Sequence, residues 1–265
     1  MAYWANRIDE QANILFDKTT AATQRELASQ YQKQLKAIQL DMVSLYDKLL
    51  EESADGKIRP NDLYKYDRYF KLHNDINKKL TALGAKEVEI YNKELLRMYS
   101  GVQDIISREA PHVLASSFIE LPTGEHVLKS IWCADGKHWS DRVWANKSKL
   151  QEMLEQSLMD SIVRGVPKSE AVKEFQKQFG VSFSQADRIT RTELNYVQNQ
   201  ATADRYKAAG VKKYQILAAL DERTSEICQE MNGQIFEFGK EEVGVNYPPF
   251  HPNCRTTIIP VLEEV

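Results

Sequence analysis

Cysteine is scarce in this sequence. Three among 265 residues is an odd and small number, which excludes a full disulfide framework and makes a reducing cytosol the simpler setting. Long apolar runs are missing too. No stretch approaches the roughly 18 consecutive apolar residues of a membrane-spanning helix, so no membrane partner is expected. The first residues, MAYWANRIDEQANILFDK, are charged throughout and lack the basic, apolar and small-residue segments of a secretory leader. Charge of one sign is also absent. A net charge of -3 gives no overall electrostatic case for nucleic acid or an anionic surface, and leaves only local basic patches as a route to either. There is no glycine-rich phosphate loop and no His-Glu-x-x-His motif. Hydrophobic residues make up 42% of the chain, enough to bury a core, and the length suits one large domain or two small ones. A soluble protein made in the cytoplasm is expected.

What is present begins with helical periodicity. Over residues 23–51, Leu27, Tyr31, Leu35, Ile38, Met42, Leu45 and Leu49 recur at steps of three and four, one stripe on one face. Asp55-Gly56 is a turn signal. Asn61 or Asp62 is placed to cap a second helix, whose stripe is Leu63, Tyr66, Phe70, His73, Ile76 and Leu80 and which Gly84 ends. A third helix carries Val88, Tyr91, Leu95, Met98, Val102 and Ile105. Long helices joined by short turns predict an antiparallel bundle over residues 1–110. The stripes are read as core, and His73 as a core or rim histidine.

Residues 111–141 read as a linker and the best domain boundary. Pro111 and Leu121-Pro122 punctuate it, and Trp132, Trp139 and Trp144 crowd its end. Asp135-Gly136 between aromatic segments predicts a hairpin turn. Cys133 reads as a small buried hydrophobe, and the tryptophans as core or as a docking surface for a partner.

From residue 142 helical patterning resumes. One stripe runs through Trp144, Leu150, Leu154, Leu158 and Ile162 to a stop at Gly165. A second helix, capped by Ser169, shows Val172, Phe175 and Phe179 and stops at Gly180. A third opens at Ser184 and closes at Gly210. Its polar face, with Arg188, Arg191, Glu193, Asn195, Gln198 and Asn199, is read as solvated. Arg188, Arg191, Arg205, Lys207, Lys212 and Lys213 offer phosphate contacts as the alternative. Strands are expected over residues 212–220, 234–238 and 255–262, the last at an edge because of Pro260. A short helix over 224–232 stops at Gly233. The fold class is therefore α+β and mostly α: an N-terminal helical bundle, then, over residues 142–265, helices followed by a small antiparallel sheet.

Special residues gather in the last third. Asp221, Arg223, Thr224, Cys228 and Gly233 form one cluster. Pro248, Pro249, His251, Pro252, Cys254 and Arg255 form the other. With Arg191-Thr192-Glu193 upstream, this series resembles the phage minor head protein family, also called the head morphogenesis or Mu F-like family, over roughly residues 142–262. The resemblance implies a Mu F-like module and a protein present in few copies per particle. Such a protein binds the portal during procapsid assembly and stays at the portal vertex in the head interior. Its role would be assembly and genome packaging or ejection, with scaffold, major capsid protein and double-stranded DNA as further partners. Relatives often continue Cys-Arg-Cys and carry Cys beside the Thr. Thr256 and Ser225 stand at those positions here, so a four-cysteine site is not available. Some relatives are joined to toxin domains, for which these 265 residues leave no room.

The Cys/His cluster has several readings. Cys228, His251 and Cys254 can hold Zn²⁺ with Asp221 or water as the fourth ligand. Cys228 and Cys254 can form a disulfide, or pack as two buried thiols. A Cys/His pair is also nucleophile and base by residue type. The structural reading is taken here, with no catalytic residue and no cofactor expected. Asp221 then caps the short helix or pairs with Arg255. Arg191 and Glu193 join the same polar network.

Overall fold

A computed structural model describes residues 3–110 and 122–262. The expected boundary signals Pro111 and Leu121 lie outside the described residues. The elements run α1 (Tyr3–Glu51), α2 (Pro60–Tyr64), a 3-10 turn (Lys65–Asp67), α3 (Arg68–Glu109), α4 (Glu125–Leu128), α5 (Trp139–Val163), α6 (Lys168–Ala208), β1 (Lys213–Leu217), α7 (Glu226–Met231), β2 (Ile235–Glu237) and β3 (Thr257–Val261). The fold is mostly helical with a three-stranded antiparallel sheet, the expected class. No helix of the described residues is long and apolar enough to cross a membrane.

The chain folds as two compact units, each assembled from non-adjacent stretches. One comprises Met1–Gln24, Tyr91–Trp139 and Arg188–Val265; the other comprises Arg25–Ile90 and Ser140–Asp187. The sequential division at 1–110, 111–141 and 142–265 follows the order of motifs and not these units.

In the Arg25–Ile90/Ser140–Asp187 unit the apolar stripes are mostly core, with Leu35 half-buried and Trp144 exposed. Leu27, Tyr31, Ile38, Met42, Leu45 and Leu49 of α1 are buried, with Leu80, Leu150, Leu154, Leu158, Phe175 and Phe179. Three local expectations fail. Asp62 is not an N-cap. Pro60 takes the first helical position, and Asp62 reaches back to accept the Arg59 N–H at 3.0 Å. The 3-10 turn, with Asp67 at φ +54, resets the helical phase, so Phe70 is exposed and Leu72 takes the core position. His73 becomes a rim residue whose Nδ1 lies 2.7 Å from Glu155 Oε1. Gly84 ends nothing: it lies inside α3. A Cβ there would stand 2.5 Å from Trp144 Cζ3, so the missing side chain is the seat of the indole. Alanine is normally favoured over glycine in a helix interior by ~1 kcal/mol. Gly84→Ala should nonetheless lower the melting temperature, because the ring must leave its seat. Trp144→Ala in the same chain should restore the propensity gain. A Gly84→Ala protein more stable than the parent in thermal unfolding would contradict this packing.

Gly180 and Ser184 likewise do not divide α6, which runs unbroken through both. The Ser184 hydroxyl donates to the Gly180 carbonyl four residues back, a bond of the helix interior. Gly165, Gly210 and Gly233 do end helices, each with φ between +63 and +82.

In the other unit the strand order is β2-β1-β3, with Tyr214 opposite Phe236 on one side and Pro260 on the other. Pro260 therefore sits on an edge strand, as expected. Tyr214 and Ile216 alternate inward from β1 and meet Ala203, Tyr247 and Ile258. The Asp135-Gly136 turn forms, with the Gly136 N–H on the Cys133 carbonyl at 3.0 Å, but it leads into α5 and no strands flank it. Cys133 is only half-buried. Trp139 is buried and donates to the Leu128 carbonyl at 3.2 Å.

Candidate functional site

The C-terminal half of α6 organises the site, and its polar face is not solvated. Every residue from Glu193 to Asn199 is buried. Asn195 and Asn199 each donate from Nδ2 to the Thr256 carbonyl at 3.1 Å. Thr192 Oγ1 accepts the Asn253 N–H at 3.1 Å. The chain on both sides of Cys254 is thus bonded to one helix face. Glu193 accepts the Trp132 indole N–H at 3.0 Å, and that indole stacks on Tyr196 at 4.8 Å and 17°. Glu193 is therefore engaged with Trp132. Arg205 is 3% exposed, which removes it from the expected set of phosphate-contacting cations.

The His251–Cys254 segment turns on itself. The Cys254 N–H reaches the His251 carbonyl at 3.2 Å, Pro252 follows His251, and Asn253 has φ +61. Proline second and a positive φ third are the requirements of a type II turn, and asparagine is among the few side-chain-bearing residues that tolerate that φ. The turn places His251 and Cys254 on the same side, where α7 presents Cys228 from its first turn. Cys228 Sγ lies 3.2 Å from His251 Nε2 and 3.7 Å from Cys254 Sγ. The three ligand-type atoms all fall within 4.8 Å of one another. Both cysteines are buried and their thiols are free.

The polar surroundings of these atoms are specific. His251 Nδ1 donates to the Pro252 carbonyl at 2.8 Å, which turns Nε2 toward the sulfurs. The Ser225 hydroxyl lies 2.9 Å from Nε2 and accepts the Cys228 N–H, capping α7. Burial pushes the Cys254 thiol up. The backbone N–H groups of Thr256 and Phe250 and the Thr256 hydroxyl, all bonded to the sulfur, act the other way.

Asp221 neither caps α7 nor joins the Cys/His group. It takes the second expected role and holds Arg255 through two bonds of 2.6 and 2.7 Å. It also accepts the Arg223 N–H at 2.9 Å and lies 3.3 Å from Thr224 Oγ1, whose hydroxyl donates to the Ala219 carbonyl. The Arg255 guanidinium is the main reason the Asp221 carboxyl is held far below the usual carboxylate range. Because the folded value is depressed, the contribution to stability is full above the unfolded value of about 4 and is lost as the pH falls below it. Asp221→Asn should therefore melt below the parent at pH 7, and the two curves should converge as the pH drops under about 4. A gap of constant size across that range would place the contribution elsewhere.

Pro248 and Pro249, joined by a cis bond, lead into the turn from a loop anchored by Tyr247, whose hydroxyl donates to the Asn199 carbonyl at 2.7 Å. Gly233 ends α7 and hands the chain to β2. Asn195 and Asn199, read from sequence as solvated, Trp132, read as core or docking surface, and Ser225 are contributors whose roles sequence reasoning misses. Ser225, directly after Asp-x-Arg-Thr, carries an N-cap signal that could have found it.

A family model described as Phage Mu protein F like protein matches residues 152–259. An uncharacterized protein of Haemophilus influenzae is 29% identical over 117 residues, 44% of this chain. The match spans only 26% of that relative's length. No solved structure matches the chain. The region from 152 to 259, which matches the phage Mu protein F-like family, holds the buried face of α6, the Asp221–Arg255 pair and the turn that gathers Cys228, His251 and Cys254.

Proposed function

We propose that this chain is a minor head protein of a tailed bacteriophage. It binds the portal vertex during procapsid assembly, remains in the head interior and acts in genome packaging or ejection. The observation that carries this reading is the match of residues 152–259 to the Mu F-like family. The physical character of the region is consistent with it. The residues that define the motif are spent on holding the module together: Asp221 on Arg255, Glu193 on Trp132, Thr192 on the turn. A rigid body presented to a large partner needs such bracing, whereas catalysis needs a group left available to substrate. The long helices of the Arg25–Ile90/Ser140–Asp187 unit are assigned the partner-binding role, with scaffold and major capsid protein as further contacts. Double-stranded DNA is a weak contact, through Arg188, Arg191, Lys207, Lys212 and Lys213.

A cysteine-dependent enzyme is the second reading, because Cys228 Sγ and His251 Nε2 stand 3.2 Å apart. Cys228 is only 2% exposed, which disfavours attack on a substrate carbonyl. No turnover of peptides or nucleotides is expected. The assembly reading is tested on particles of the phage that encodes the chain. Purified heads should contain it at a fixed, low ratio to the portal subunits, and deleting its gene should leave procapsids that package or eject DNA poorly. Absence from purified heads together with normal infectivity of the deletion would contradict it.

A further inference from the structure

We propose that Cys228, His251 and Cys254 bind one Zn²⁺ per chain, with a solvent molecule beside Ser225 as the fourth ligand. The three ligand atoms lie within 4.8 Å of one another, compact enough to close on one ion. With Zn–S near 2.3 Å and Zn–N near 2.05 Å, two sulfurs on one ion stand about 3.8 Å apart and a sulfur and an imidazole nitrogen about 3.6 Å apart. The corresponding distances here are 3.7 Å for Cys228 to Cys254 and 3.2 Å for Cys228 to His251. A disulfide would require the two sulfurs at about 2.05 Å. Two of the three ligands are also prepared from outside. His251 donates its Nδ1 proton to the Pro252 carbonyl, the bond that commonly orients a zinc-binding imidazole and leaves Nε2 free to coordinate. Cys254 receives backbone N–H bonds from Thr256 and Phe250, which stabilise a coordinated thiolate. Thr192, Asn195 and Asn199 of α6 hold the main chain on both sides of Cys254.

Two thiolates and one imidazole select zinc over magnesium, calcium or manganese, which prefer oxygen. Three protein ligands leave one position open, and the Ser225 hydroxyl, 2.9 Å from His251 Nε2, is placed to hydrogen-bond a water there. Asp221 is excluded from that position by its bidentate bond to Arg255.

The test uses the full chain purified under reducing conditions without chelator. Elemental analysis should give one zinc per chain, and Co²⁺ exchanged into the site should show thiolate-to-metal charge-transfer absorption. Affinity for Zn²⁺ is then read by competition with a chromophoric chelator. His251→Gln and Cys254→Ser should weaken it by more than the roughly 10- to 100-fold that loss of a merely orienting partner costs. Cys133→Ser should leave it unchanged. Ser225→Cys supplies a third thiolate at the open position and should tighten binding by at least ~10-fold, the lower end of that same scale. This gain keeps the test decisive even where a ligand variant fails to fold. A folded, metal-free protein that takes up no Zn²⁺, a Cys228–Cys254 disulfide in its place, or a Ser225→Cys variant with unchanged affinity would overturn the proposal.

Discussion

Lys147→Met should cost about 3–5 kcal/mol of stability, the usual result of leaving one member of a buried ion pair without the other. The Lys147 ammonium lies 2.8 Å from Glu87 Oε2, and the two side chains are 4% and 0% exposed. Lys147 also donates to the Tyr31 hydroxyl, and its Nζ sits 4.5 Å from that ring's centre. Tyr31 in turn lies 3.1 Å from Glu87 Oε2, and Asn146 lies 2.9 Å from the Ser182 carbonyl. Burial pulls the lysine down from its ordinary value while Glu87 opposes it; burial and then Glu87 hold the Tyr31 hydroxyl protonated. The methionine removes the cation and keeps the volume, so the buried glutamate loses its counter-charge in a dry site. A loss of about 3–5 kcal/mol corresponds to a melting temperature lower by roughly 6–20 °C for a chain of this size. Lys147→Met/Glu87→Gln removes both charges and should recover most of that loss. A single variant that melts with the parent would show that the pair is not buried in solution.

The second large effect is expected at Tyr247. It is fully buried, meets Tyr214 edge-on at 5.5 Å and donates to the Asn199 carbonyl. It anchors the bridge between Val243 and Tyr247, in a stretch rich in glycine and proline that has few large side chains to bury. Tyr247→Ala should cost about 3–5 kcal/mol, as large aromatic truncations in cores do. Tyr247→Phe should cost about 1 kcal/mol, because only the hydroxyl bond is lost. Limited proteolysis separates the two. The alanine variant should be cut between residues 239 and 252 under conditions where the parent and the phenylalanine variant are intact. Equal resistance of all three would mean that the loop is held by other contacts.

Much of the fold is legible because burial follows period. The stripes through Leu27 to Leu49 and Leu150 to Ile162 are core as read, since a helix against a neighbour buries every third or fourth side chain. Gly84 and Gly180 mislead for a physical reason. Glycine marks a helix end when φ is positive and can sit mid-helix when it is not, and sequence does not separate the two. The Trp144 ring that explains Gly84 comes from sixty residues away. The buried face of α6 is illegible for a related reason. Asn195, Asn199 and Glu193 look solvated until Thr256 and Trp132 are brought to them, and those partners come from distant chain. The His251–Cys254 turn, by contrast, is written locally, in a proline followed by an asparagine that accepts positive φ. The contact of Ser225 with His251 has no local signal, because it crosses from the start of α7 to another loop.

Portal binding is tested most directly by co-expressing this chain with the portal protein of the same phage and sedimenting the product. A complex that sediments with the portal ring at a fixed ratio and survives purification is expected. A chain that stays free while intact portal rings sediment alone would contradict portal binding by this protein.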